Sequence, residues 1–120
     1  MYLTFAPAHS TLPHKLADGI LHFDDEPDND LFQHVVLMGV EVWHQRDDPA
    51  ILYVTLPQRQ SVRRHDNGIA RYTLFRMPDG THDAAVLQTL REGILAQYRQ
   101  WVAQAHAASH DGAARKEGAQ

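Results

Sequence analysis

Ile69-Ala-Arg-Tyr-Thr-Leu-Phe-Arg-Met77, Pro78-Asp79-Gly80 and Thr81-His-Asp-Ala-Ala-Val-Leu-Gln-Thr-Leu90 follow one another as a strand, a turn and the start of a helix. The apolar period changes at this point and nowhere else. Up to Met77 the apolar residues come in short runs of β-branched and aromatic side chains, each ended by turn residues, as in strands. Beyond Gly80, the residues Val86, Leu87, Leu90, Ile94, Leu95, Tyr98, Trp101, Val102 and Ala105 recur at three- and four-residue spacing, which puts them on one stripe of a helix. Thr81 is the expected N-cap, with Asp83 in the first turn at the positive end of the helix dipole.

Upstream of this junction, strands are expected over residues 2–5, 16–23, 32–43 and 51–56, with residues 69–77 as the last. Pro7 ends the first, an edge strand, and the acidic loop 24–30 ends the second. Arg46-Asp47-Asp48-Pro49 turns the chain after the third, and Pro57, which cannot donate to a central ladder, closes the fourth. The segment after Pro57 reads as a loop running into the Asp66-Asn67-Gly68 turn. Short connections between successive strands favour an antiparallel meander. The expected fold is therefore α+β, an antiparallel four- to five-stranded sheet packed against one long C-terminal helix, with residues 1–106 as a single domain. From Ala107 the composition turns to Ala, Gly, Ser and charge, and residues 107–120 are expected to form a disordered tail.

The third strand bears on assembly. Val36, Met38, Val40 and Val42 alternate with Val35, Leu37 and Trp43, so both of its faces are apolar. One helix covers one face; either a second copy of the chain covers the other, which is the homodimer expected here, or the N-terminal segment and the long loops fold over it.

A chain of 120 residues buries a core without staples, and the absence of cysteine excludes disulfides, thiolate zinc sites and cysteine nucleophiles. The N-terminus lacks a basic segment followed by a sustained apolar run, and no stretch approaches the roughly 20 apolar residues of a membrane span. A cytoplasmic protein is the expectation.

Charge is divided unevenly. Residues 1–58 hold nine acids and two bases, a net of −7, whereas residues 59–120 hold nine bases and six acids, a net of +3. Arg59, Arg63, Arg64, Arg71 and Arg76 fall within eighteen residues, with Asp66 the only acid among them. Guanidinium groups fit phosphate oxygens through a planar fork of donors, and Gln58, Gln60 and Asn67 add neutral donors. Tyr72 and Phe75 offer stacking faces to unpaired bases. These five arginines are the candidate nucleic-acid-binding residues, with Arg91 and Arg99 as outer candidates. An overall charge of −4 weighs against a dedicated nucleic-acid binder, and exposed arginines are most often solvated surface.

The other polar clusters point to no chemistry. The nine histidines include no His-Glu-x-x-His run, and the pair His106 and His110 falls where the helix is expected to fray, so no metal site is expected. The acidic loop lacks the glycine and the terminal glutamate of a calcium loop and reads as a solvated hairpin loop. No nucleophile constellation or glycine-rich phosphate loop accompanies these carboxylates, so neither enzymatic activity nor a cofactor is expected. A second class of function stays open: a protein interaction module, adaptor or inhibitor, using the acidic face or the aromatic end of the helix at Tyr98 and Trp101.

Lys15-Leu16, a strand ending Phe23-Asp24-Asp25-Glu26, a long apolar strand and then Leu52-Tyr-Val-Thr-Leu-Pro-Gln-Arg-Gln60 together resemble the stage V sporulation protein G (SpoVG, septation regulator) family of bacteria. The likeness runs over roughly residues 1–101, through Arg71-Tyr-Thr-Leu-Phe-Arg76 to Tyr98 near the end of the helix. It implies a small antiparallel sheet with C-terminal helical structure, a homodimer, and DNA or RNA binding in a regulatory role. By position Pro57 and Arg59 match the Pro and Arg of the family's basic segment, whereas Gln58 and Gln60 replace its Ser and Lys. The family's His-Pro after the next strand is absent here, so the chain resembles a divergent member.

Overall fold

A computed structural model describes residues 1–8, 12–25, 31–63 and 65–118, with side chains as far as residue 108. Residues 26–30 of the acidic loop, His9 and the His110 side chain lie outside the described residues. The chain forms a four-stranded antiparallel meander of β1 (Tyr2–Pro7), β2 (Lys15–His22), β3 (Val36–His44) and β4 (Leu52–Thr55). A separate two-stranded ribbon follows, β5 (Gln58–Val62) and β6 (Ile69–Thr73), and then a single helix α1 (Ala84–Gly118). The α+β class, the meander and the one C-terminal helix agree with the sequence reading; β5 is an addition to it, formed within the segment read as a loop. The helix runs through the change of composition at Ala107.

One face of the sheet carries the core. Ala17, Val40, Val42, Val54 and Leu56 are buried against Leu87, Ile94 and Tyr98 of α1, with Leu3, Phe5, Leu90 and Trp101 packed around them. The three helical residues follow the seven- and four-residue steps of the sequence stripe, so a single helix face closes the core. Gly19 lets the sheet and its neighbours approach: a Cβ there would meet Val40 Cγ1 at 2.8 Å. The helix N-cap is Asp83 and not Thr81. Its carboxylate accepts from the N–H of Ala85 at 3.0 Å and of Val86 at 3.2 Å, the two orphan donors an N-cap satisfies, whereas Thr81 is engaged by Asp79 in the preceding turn.

The other face is polar and aromatic in its central part. Lys15 Nζ lies 2.6 Å from Asp18 and 2.7 Å from Glu41, and 6.0 Å from the Trp43 ring centroid. Trp43 donates from Nε1 to Thr55 Oγ1 at 3.1 Å and stacks on Tyr53. Burial acts to lower the Lys15 pKa, but the bonds to Asp18 and Glu41 outweigh it and raise the value above the ordinary 10.5. The stabilisation from this raised value is therefore present at neutral pH and is lost only as pH rises through the shifted value. Lys15→Met is expected to cost about 1–3 kcal/mol by leaving two carboxylates facing each other, checked by the urea midpoint at pH 7.

The apolar excess of β3 lies at its N-terminal end. Val36, Leu37 and Met38 are exposed, whereas Val40 and Val42 are buried. Between them is a bulge, for Leu37 pairs with Leu21 and Val40 with Gly19, so the strict alternation assumed for a straight strand is broken there. β4 pairs only with residues 41–44, leaving residues 36–40 unpaired on that side by β4.

Candidate nucleic-acid interface

The chain leaves the sheet at Pro57, which is buried against Gly39, and β5 turns back through Asp66-Asn67-Gly68 to pair with β6. The turn is set locally. Asn67 takes a positive φ of 56°, Asp66 Oδ1 accepts from Gly68 N at 2.8 Å, and Arg63 exchanges backbone bonds with Gly68 (2.7 Å) and Asn67 (3.0 Å). At the base of the ribbon, Leu74 N donates to Pro57 O at 2.9 Å.

Register assigns the two faces. Arg59 stands opposite Tyr72 and Ser61 opposite Ala70, and these four point to one side. Gln58, Gln60, Val62, Ile69, Arg71 and Thr73 point to the other. Gln58, Gln60 and Arg71 line a cleft of about 470 Å³ whose far wall is Leu37, Met38, Glu41 and Trp43. That side of the ribbon thus looks back at the sheet, and the side with Arg59 and Tyr72 looks outward. Arg76, just beyond β6, brings its Cζ to 5.9 Å from the Tyr72 ring centroid and so joins the outward side.

Four of the five candidate arginines lie among the described residues, and this geometry divides them. Arg59 and Arg76 flank exposed Tyr72 on the outward face, and Arg71 faces the cleft. Arg63 lies across the turn with Nε 3.2 Å from Asp66 Oδ1, its charge compensated by that carboxylate. Arg64 lies outside the described residues. Phe75 is half-buried and packs against the core, whereas Tyr72 is exposed. Arg91 lines a small cavity beside Leu52, Tyr53 and Val54, and Arg99 is exposed on the helix; neither belongs to the ribbon.

Tyr98 and Trp101 are packed on Phe5, with ring centroids 5.7 and 5.9 Å away, so the aromatic end of the docked helix is part of the core. Among the described residues, no three His, Asp or Glu side chains are grouped to hold a metal ion, and no helix is long and apolar enough to cross a membrane. Comparison of the chain with protein-family models, curated proteins and solved structures finds no match.

Proposed function

We propose that this chain is a small SpoVG-like regulatory protein of the cytoplasm that binds nucleic acid as a homodimer, with the ribbon as its binding element. The observation that carries the reading is the outward ribbon face: Arg59 and Arg76 beside exposed Tyr72, with Ser61 and Ala70 completing it and no acid on it among the described residues. Such a face attracts phosphate although the whole chain is acidic, because the compensating acids lie on the sheet and in the N-terminal half.

The homodimer is supported by exposed apolar surface. The exposed run at residues 35–38 borders the part of β3 that β4 leaves unpaired. Sedimentation equilibrium should give twice the 13.6 kDa chain mass. The same exposed run favours the second reading, a protein interaction module, which would use this patch in place of the packed end of the helix.

The test is fluorescence anisotropy with labelled single-stranded DNA, duplex DNA and RNA at low and moderate salt. Wild type should bind with an affinity that falls as salt rises, and Arg59→Ala/Arg76→Ala should lower the magnitude of the log–log salt slope by about 1.4, from roughly 0.7 per lost single-strand phosphate contact. Arg71→Ala should leave the slope nearly unchanged. Absence of binding to all three at low salt would overturn the reading.

A further inference from the structure

We propose that the outward ribbon face selects unpaired bases, binding single-stranded nucleic acid in preference to duplex, with Tyr72 as the stacking residue. The inference rests on the nucleic-acid reading above and narrows it to one class of ligand. Four aromatic residues are exposed among those described: Tyr2, Phe32, Tyr53 and Tyr72. Tyr2 lies beside Asp24 and Asp25 and stacks on His22, and Phe32 lies against Phe23. Tyr53 stacks on Trp43, next to the Lys15, Asp18 and Glu41 cluster, whose sum is negative. A phosphate is repelled at Tyr2 and Tyr53 for this reason. Tyr72 differs in that two cations stand beside it, Arg59 across the ribbon and Arg76 over its ring, with no acid paired to either among the described residues.

The number of those cations decides between single strand and duplex. A two-stranded ribbon fits a major groove, but duplex affinity is built from many phosphate contacts, typically about 6–10. Among the described residues the outward face of each copy supplies two guanidinium groups with no acid partner, Arg59 and Arg76, since Arg63 is paired with Asp66 and Arg71 is turned to the cleft. Two cations and a ring are the minimum set for an unpaired nucleotide step: the base stacks on the ring or on the guanidinium plane already covering it, and the flanking phosphates meet the arginines. In a duplex the base faces are covered by their neighbours and Tyr72 has nothing to stack on.

The experiment compares three probes of about 12 nucleotides, within the footprint of small single-strand binders: oligo-dT, the same length with abasic sites throughout, and a duplex. Wild-type protein should bind oligo-dT more tightly than either of the others. Tyr72→Ala should weaken oligo-dT binding by roughly 5- to 150-fold, the range of base–aromatic stacking, and should leave the abasic and duplex probes unaffected, while Tyr72→Phe retains the preference. Tyr72 is exposed, so both variants should keep the wild-type circular dichroism spectrum. Duplex bound as tightly as oligo-dT, or unchanged oligo-dT binding by Tyr72→Ala, would overturn single-strand selection and leave nucleic-acid binding standing. No binding of any probe at low salt would overturn both.

Discussion

Tyr98→Ala is expected to destabilise the protein by about 3–5 kcal/mol, the largest loss from any single truncation in the helix–sheet contact. Tyr98 is 8% exposed, and its ring meets Phe5 edge-on at 73° and Trp101 at a tilt. Truncation removes the aromatic that joins β1 to the last docked turn of α1, and Phe5 and Trp101 lose their common neighbour. Thermal unfolding should show a fall of roughly 10–30 °C. Tyr98→Phe separates ring from hydroxyl. Burial raises the Tyr98 pKa, so the folded state favours the neutral phenol, and the associated stability is present below pH 10 and lost as pH rises through the shifted value. The phenylalanine variant should therefore match wild type at pH 7 and hold its stability better in alkali. A similar loss from both variants would show that the hydroxyl, and not the ring, makes the contact.

Tyr98 was legible in the sequence because a docked helix records its contact face as a repeated three- and four-residue step. Leu87, Ile94 and Tyr98 satisfy that step, and the structure buries all three. The strands of the meander were legible for the corresponding reason, since Val40, Val42 and Val54 are β-branched residues between turn signals. β5 left no such record. Gln58-Arg59-Gln60-Ser61-Val62 is exposed throughout, so no burial selects alternate apolar residues, and the strand exists through its pairing with β6 and the turn that joins them. Periodicity is a trace of burial, and an unburied ribbon has none.

The candidate site was half legible for a related reason. Clustering of arginines along the chain is visible, but their division between two faces follows from a register that pairs Arg59 with Tyr72 and Gln60 with Arg71. Residue type alone marked both Tyr72 and Phe75 as candidate stacking faces; Tyr72 is exposed, whereas Phe75, three residues on, packs against the core once the chain has passed Thr73. Arg63 lost its free charge to Asp66, an acid placed by the same turn that forms the ribbon.

Gly39→Val is expected to cost about 3–5 kcal/mol and to disturb the ribbon along with the sheet. Two separate effects add at this position. Gly39 has a φ of +116°, where a β-branched residue is strained by roughly 1–3 kcal/mol, and a Cβ there would also come within 3.1 Å of Pro57 Cβ and 3.3 Å of Pro57 Cα. The second contact is with a buried proline ring, which has no rotamer by which to withdraw. Gly80→Val is the control, because Gly80 also has a positive φ, of 85°, but nothing lies within 4 Å of a Cβ there. Strain alone predicts about 1–3 kcal/mol for Gly80→Val, so the difference between the two urea-derived stabilities measures the Pro57 contact. Pro57 is also where the chain departs for β5 and where Leu74 N is anchored, so a displaced Pro57 moves both strands at the base of the ribbon. Gly39→Val should therefore weaken oligo-dT binding at temperatures where it is still folded, and Gly80→Val should not. Equal stability losses and equal binding would mean that Pro57 gives way freely and that the bulge does not position the ribbon.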